Sequence, residues 1–167
     1  MHRAVLILAA AAFAGLILLT VRPTARIDAS PANMKAVNEV LDDFHDAASE
    51  ADFDRYFAHF AEGAVFLGTD DTERWSLDEF KDFARPYFSK GTGWTYEAVE
   101  RHISLSDREA VAWFDERLTN EKLGPCRGSG VLVQGDDGRW RITQYNLTIP
   151  IPNELADRVT EMIREHR

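Results

Sequence analysis

The chain has 167 residues, of which 45% are hydrophobic, 11% aromatic and 28% charged, a composition typical of one folded domain rather than a disordered or fibrous chain. Its net charge is −9, and residues 1–29 hold three arginines and one aspartate, so the remainder carries −11. An acidic body of this size repels the phosphate backbone, so we expect no nucleic-acid partner. The single cysteine, Cys126, excludes an internal disulfide and any multi-cysteine metal site.

An uncharged apolar run spans residues 4–21, directly after the basic start Met1-His2-Arg3. As a helix, its 18 residues would be about 27 Å long, close to the ~30 Å thickness of a bilayer core. The pattern predicts an export signal or signal anchor within residues 1–29, followed by one domain in residues 30–167. We therefore expect an extracytoplasmic domain, periplasmic or at the cell surface, which is either secreted or tethered to the membrane through residues 4–21.

The first part of the domain has the apolar spacing of helices. Apolar residues three and four positions apart predict a first helix up to Glu50 and a second helix around Tyr56 that ends at Gly63. A short strand, residues 64–69, then leads through a polar loop to a third helix, which we expect Pro86 to kink or end.

After Gly93 the apolar period changes to two, which is typical of strands. A hairpin turn is predicted at residues 135–138, and Asn153 is suited to cap a final helix. Helices followed by an antiparallel meander predict an α+β fold with the helices on one face of a curved sheet. The four strand candidates are residues 95–106, 109–120, 125–134 and 139–149.

Three motifs add a resemblance to this outline: FLGTDDTERW at residues 66–75, CRGSG at 126–130 and GRWRITQYNL at 138–147. Over residues 33–153 the chain resembles the SnoaL-like branch of the nuclear transport factor two (NTF2-like) superfamily. The resemblance implies a cone-shaped barrel, in which a bent sheet wraps the first helix and leaves a pocket at its open end. It also implies a homodimer formed through the outer face of the sheet. Relatives include polyketide cyclases, ketosteroid isomerases, dehydratases, epoxide hydrolases and non-enzymatic binding modules, so the resemblance leaves the activity open.

The hairpin turn predicts which side chains of the last two strands share a face. If Gln134 pairs with Arg139, one face is apolar near the turn and polar at its far end, as expected of a small-molecule pocket. The resemblance implies that this face points inward. It holds Val133, Val131, Ser129 and Arg127 on one strand and Trp140, Ile142, Gln144 and Asn146 on the other.

The preceding strand has two possible registers, because the loop before the hairpin is long. One register places Asp115 and Trp113 in the pocket, and the other replaces them by Glu116 and Phe114. In the first register Asp115 is the candidate catalytic carboxylate, although such a cluster is equally often a salt bridge that only orients strands. The polar cluster would comprise Asp115, Arg127, Gln144 and Asn146.

Other residues are candidates for the pocket wall or rim. We expect Tyr56 and Trp94 to line the pocket, although aromatic residues at such spacings are usually core residues. Asp70, in the loop TDDTERW, is either a rim carboxylate acting as a general base or, as is more common, part of a helix cap. His102 is a candidate proton carrier near neutral pH.

Asp42, His45 and Asp46 share one face of the first helix, which is more typical of a solvated acidic surface than of a metal site. We expect no metal and no other cofactor. Two functions remain open. The first is a module that binds a small apolar or aromatic molecule and self-associates. The second is a cofactor-free isomerase, lyase (dehydratase) or hydrolase in which a pocket carboxylate moves a proton.

Overall fold

The computed structural model describes residues 30–166. The predicted signal or anchor segment lies outside the described residues and stays a prediction. Within residues 30–166, no helix has the length and apolarity needed to span a bilayer. The elements in chain order are α1 (Pro31–Ser49), α2 (Phe53–Ala58), β1 (Phe60–Leu67), β2 (Arg74–Ser76), α3 (Leu77–Phe88), β3 (Glu97–Leu105), β4 (Val111–Asn120), β5 (Gly124–Gln134), β6 (Trp140–Thr148) and, after a 3-10 turn at Asn153–Leu155, α4 (Ala156–His166).

The described strands form one six-stranded sheet in the order β2-β1-β6-β5-β4-β3. Strands β3 to β6 are an antiparallel meander, and β1 joins β6 in parallel. Helix α1 packs against both β3 and β6, which have two strands between them, so the sheet curves around the helix. The edge strands β2 and β3 do not pair with each other, so the curved sheet stays open. The predicted α+β fold with helices on one face of a curved sheet is confirmed.

Helix α1 packs against the inner face of the curved sheet because its apolar residues recur every three or four positions. Val37, Leu41, Phe44 and Ala48 form one buried stripe along it. Burial of one large side chain of this kind stabilises the fold by about 1.5–3 kcal/mol. The stripe meets an aromatic core in which Phe44 stacks on Tyr56, with ring centroids 4.6 Å apart.

The second helix ends earlier than predicted. It stops at Ala58, and β1 begins at Phe60, because the chain already pairs with β6 through a bond from the Ile142 amide to the His59 carbonyl (2.8 Å). Gly63 lies inside β1 with a φ of +71° rather than at a helix end. Sheet pairing therefore overrides the local helical pattern.

A glycine fixes the path into the long strands. A Cβ atom on Gly93 would lie 1.8 Å from the carbonyl oxygen of Ala48, so only glycine fits there. The next residue, Trp94, donates its amide hydrogen to that carbonyl (3.2 Å). The segment before β3 is thus attached to the end of α1, and the Trp94 ring lies against Tyr56 and Phe88.

The register predicted for the β5–β6 hairpin is wrong. Gln134 pairs with Trp140 rather than with Arg139, because the connecting loop is one residue longer than expected and is closed by a bond from the Gly135 amide to the Arg139 carbonyl (3.0 Å). A bulge at Thr143 then shifts the pairing again, so that Val131 lies opposite Gln144.

The β4–β5 register is the first of the two alternatives, with Asp115 opposite Ser129 and Trp113 opposite Val131. These residues nevertheless lie on the outer face, since the alternate residues of β4 are the buried ones. The prediction that this row lines the pocket is therefore wrong. The residues it misplaced are Trp113, Asp115, Arg127, Ser129, Gln144 and Asn146.

Two glycines explain why the face opposite to the predicted one points inward. A Cβ atom on Gly128 would lie 2.3 Å from the Tyr145 hydroxyl and 2.7 Å from Glu116, and one on Gly130 would lie 2.2 Å from the Gln144 carbonyl. Both glycines are buried, and they make room for the larger side chains inside the sheet. Trp113, 49% exposed, stands on the outer face, and the homodimer expected through that face stays a prediction.

Candidate functional site

An aromatic cleft of about 270 Å³ opens between α3, the β1–β2 connection and the segment before β3. Strand β1 supplies Phe66, which lies opposite Trp75 of β2. Helix α3 supplies Phe83, whose ring stacks on Trp75 with centroids 4.6 Å apart. The aromatic residues that line the cleft are Phe66, Trp75, Phe80, Phe83, Tyr87, Trp94 and Tyr96.

The outer rim of this cleft is exposed. Phe83 is 39% exposed and Tyr87 is 48% exposed, although both are large aromatic side chains. Trp75 is stacked with Phe80 and with Phe83, with ring planes 10° and 23° apart. The exposed parts of Phe83 and Tyr87 are therefore accessible to a planar molecule.

Among the described residues that line the cleft, Glu73 is the only charged one. Its carboxylate accepts a hydrogen bond from the Asp70 amide (3.1 Å) and covers the backbone at Gly68. Within residues 30–166, no lysine, arginine or histidine nitrogen lies within 4 Å of this carboxylate. The cleft thus combines aromatic walls with one carboxylate that no basic side chain of residues 30–166 neutralises.

A narrow inner void of about 20 Å³ continues from the cleft toward α1. It has room for about one water molecule. Cleft and void share the lining residues Phe66, Trp94, Tyr96 and Leu147, so the void adjoins the cleft. The inner wall consists of Phe44, His45, Ala48, Tyr56 and Tyr145.

Tyr56 belongs to this inner wall and is fully buried. Within residues 30–166, no group meets hydrogen-bond geometry with its hydroxyl, although the Trp94 indole lies close enough to interact with it. Burial raises the pKa of Tyr56 well above its ordinary value, so the hydroxyl stays protonated.

Behind the inner void lies the fully buried carboxylate of Glu116. It is 2.8 Å from His45 Nε2, accepts from the Tyr145 hydroxyl at 2.9 Å and accepts from Arg101 Nε at 2.8 Å. These partners come from α1, β6 and β3. Arg101 also donates to Asp42 of α1 (2.6 Å), so the network joins the helix to both sides of the curved sheet.

The network keeps Glu116 ionised. Burial by itself raises the pKa of this carboxyl, but the hydrogen bond and charge of His45 and the guanidinium of Arg101 together hold the pKa below its ordinary value of 4.5. Burial, with the charge of Glu116 as a second cause, raises the pKa of Tyr145 well above its ordinary value. Glu116 is therefore a weak base that orients His45 and Tyr145.

A model of the SnoaL-like domain family matches residues 37–152. The chain belongs to the SnoaL-like domain family. This confirms the resemblance inferred from the sequence motifs. No protein with a curated description matches the chain.

Several solved structures share the fold. An NTF2-like protein of unknown function from Pseudomonas putida KT2440 is 12% identical over 76% of this chain and 93% of its own, with a TM-score of 0.63. A putative dehydratase of the NTF2-like family from Streptomyces avermitilis is 12% identical over 72% and 98%, with a TM-score of 0.61. A putative scytalone dehydratase from Novosphingobium aromaticivorans DSM 12444 is 16% identical over 72% and 85%, with a TM-score of 0.58. At these identities the likeness shows the fold alone.

The SnoaL-like domain places two of the sequence-derived candidates at its cavity: Trp94 in the cleft and Tyr56 at the inner void. Ile142 is buried in the core and is not among the lining residues. Asp115 lies on the outer face, so the carboxylate that faces inward is its neighbour Glu116.

The two rim candidates are also placed away from the cleft. Asp70 is exposed and accepts hydrogen bonds from the amide and hydroxyl of Thr72, while Glu73 lines the cleft instead. The loop ends in a helix cap at Ser76, which exchanges hydrogen bonds with Glu79. His102 is exposed on the outer face, 3.4 Å from Glu100.

Sequence reasoning missed His45 and Glu116 as partners. The sequence does contain a signal for Glu116. It lies on the same face of β4 as the apolar residues Ala112, Phe114 and Leu118, because every second residue of a strand shares a face. His45 was interpreted as part of an acidic surface with Asp42 and Asp46. The structure pairs His45 with Glu116, Asp42 with Arg101 and Asp46 with Arg55. Over the described part of the chain, no group of three side chains is arranged to hold a metal ion.

Removal of one hydroxyl from each buried tyrosine gives a matched pair of tests. We expect Tyr56→Phe to leave the free energy of unfolding unchanged or to raise it by up to about 1 kcal/mol, because no group in residues 30–166 forms a well-aligned hydrogen bond with its hydroxyl. Tyr145→Phe should lower it by about 1–3 kcal/mol, because Glu116 loses a donor. Urea unfolding followed by tryptophan fluorescence measures both, and equal losses would contradict these assignments.

Acid unfolding tests the charge of Glu116. Since its folded pKa lies below 4.5, the ionised form contributes stability that is present above about pH 4.5 and is lost as the pH falls through the folded pKa. Glu116→Gln should lower stability by about 3–5 kcal/mol at neutral pH, because Arg101 loses its buried partner. It should also flatten the fall of Tm below pH 4.5, whereas the exposed control Glu62→Gln should not.

If Glu116→Gln does not fold, the carboxyl ¹³C shift of Glu116 in the unmodified protein gives the same test. A titration midpoint above 4.5 would show that burial outweighs the hydrogen bonds.

Proposed function

We propose that this SnoaL-like domain is a ligand-binding module that holds a small aromatic molecule in the aromatic cleft. The observation that carries the proposal is the exposed, stacked wall of Trp75 and Phe83 beside a cavity of about 270 Å³. Binding pockets for small molecules are typically apolar and aromatic, with few polar groups. The cleft fits this description, since Glu73 is the one charged group that residues 30–166 contribute to it.

The polar end of the cavity supports binding over catalysis. A carboxylate that moves protons near neutral pH needs a raised pKa, whereas the pKa of Glu116 is lowered and the carboxylate is held by three donors. The inner void of about 20 Å³ is also too small for the body of a substrate.

One observation favours a second candidate, a dehydratase- or isomerase-type enzyme. His45 lies on the inner void and is oriented by Glu116, as a general base is often oriented by a carboxylate. In that case His45→Gln would abolish turnover of a substrate and leave binding in the cleft intact.

Binding is tested with the neutral fluorescent probe N-phenyl-1-naphthylamine. We expect its fluorescence to rise on binding and Phe83→Ala to weaken its affinity about fivefold or more, because a stacked ring is lost from the wall. Phe83 is partly exposed, so the variant should still fold.

Trp113→Ala is the matched control, because Trp113 is an exposed aromatic residue on the outer face. It should leave the affinity unchanged. Loss of binding in Trp113→Ala but not in Phe83→Ala would move the site to the outer face, and the absence of any binding would refute the proposed function.

A further inference from the structure

We propose that the cleft selects an organic cation, an aromatic amine or quaternary ammonium compound, with Glu73 as its counterion. This inference rests on the proposed binding function and names the chemical class of the ligand.

The walls of the cleft suit a cation. Aromatic faces carry negative electrostatic potential, and tryptophan faces attract cations most strongly. Trp75 and Trp94 both line the cleft, and each stacks with Phe80 between them, with centroids 5.7 and 6.2 Å from it. Tyr87 and Tyr96 add two further rings. An ammonium group in this cleft would therefore lie among several aromatic rings, of which Phe83 and Tyr87 are exposed.

Glu73 supplies the second, independent observation. It lines the cleft, is partly buried and has no basic side chain within 4 Å in the described part of the chain. A partly buried charge is screened less by salt than an exposed one. A bound cation would supply the opposite charge that this carboxylate lacks.

The nearby basic side chains are placed elsewhere. Arg74 lines a separate groove with Val65 and Leu67 on the other side of the strand. Arg85, on α3, lies over the ring of Phe53 at 4.4 Å. Within the part of the chain that the structure describes, no lysine, arginine or histidine lines the cleft. An anionic ligand would therefore meet only Glu73 and hydrogen-bonding or apolar groups.

The charge of the whole chain acts in the same direction. With a net charge of −9, the protein attracts cations and repels anions at long range, and this raises the association rate of a positively charged ligand. A neutral ligand of the same shape would gain neither this attraction nor the contact with Glu73.

Phenyltrimethylammonium and tert-butylbenzene provide the test, because they have the same shape and differ by one positive charge. We expect the cation to bind about tenfold more tightly than the hydrocarbon, as measured by tryptophan fluorescence at an ionic strength of about 0.15 M. Glu73→Gln should weaken binding of the cation more than binding of tert-butylbenzene, and so remove most of this preference. Glutamine can still accept the hydrogen bond of the Asp70 amide, so the loop should keep its structure.

Glu62→Gln is the control, since it removes the same charge from an exposed position outside the cleft. It should leave both affinities unchanged. Equal affinities for the two probes would overturn the preference for a cation while the proposed binding function stands. Equal losses in Glu73→Gln and Glu62→Gln would overturn the role of Glu73. If neither probe nor N-phenyl-1-naphthylamine binds, both proposals fail together.

Discussion

The buried charge of Glu116 is the constraint on which the inner end of the cavity depends. An ionised carboxylate with no exposure to solvent needs donors on every side, and this one receives them from His45, Tyr145 and Arg101. Because those donors belong to α1, β6 and β3, they hold the helix inside the curve of the sheet. Gly128 is part of the same constraint, since any side chain there would collide with Tyr145 and Glu116.

The cavity therefore has two ends with different properties. The inner end is closed, hydrogen-bonded and close to the size of one water molecule, so it is suited to fixing the geometry of the fold. The outer end is open and lined by rings that make few polar contacts, so it is suited to binding. Gly93 lets the backbone approach the end of α1 closely, so that the Trp94 amide binds the Ala48 carbonyl. The Trp94 side chain is thereby held at the boundary between void and cleft.

Much of the fold could be predicted from the sequence, because the helical spacing of α1, the period of two after Gly93 and the family motifs are local signals. The residues of the cavity could not be predicted in this way, because their placement depends on which face of each strand is buried. One extra loop residue at Arg139 and a bulge at Thr143 changed the pairing of β5 with β6. Asp115 and Glu116 are neighbours in sequence, yet Asp115 is exposed and Glu116 is buried. This difference depends on which face of β4 packs against α1, a long-range contact that the local sequence does not specify.

The claim that the aromatic cleft is the binding site is tested most directly by the four tryptophan indole N–H signals in a ¹H–¹⁵N NMR spectrum. Trp75 and Trp94 line the cleft, whereas Trp113 lies on the outer face and Trp140 is buried near the β5–β6 hairpin. On titration with phenyltrimethylammonium, the account predicts that the signals of Trp75 and Trp94 shift together and saturate, while those of Trp113 and Trp140 stay in place. Saturating shifts at Trp113 with none at Trp75 and Trp94 would contradict it.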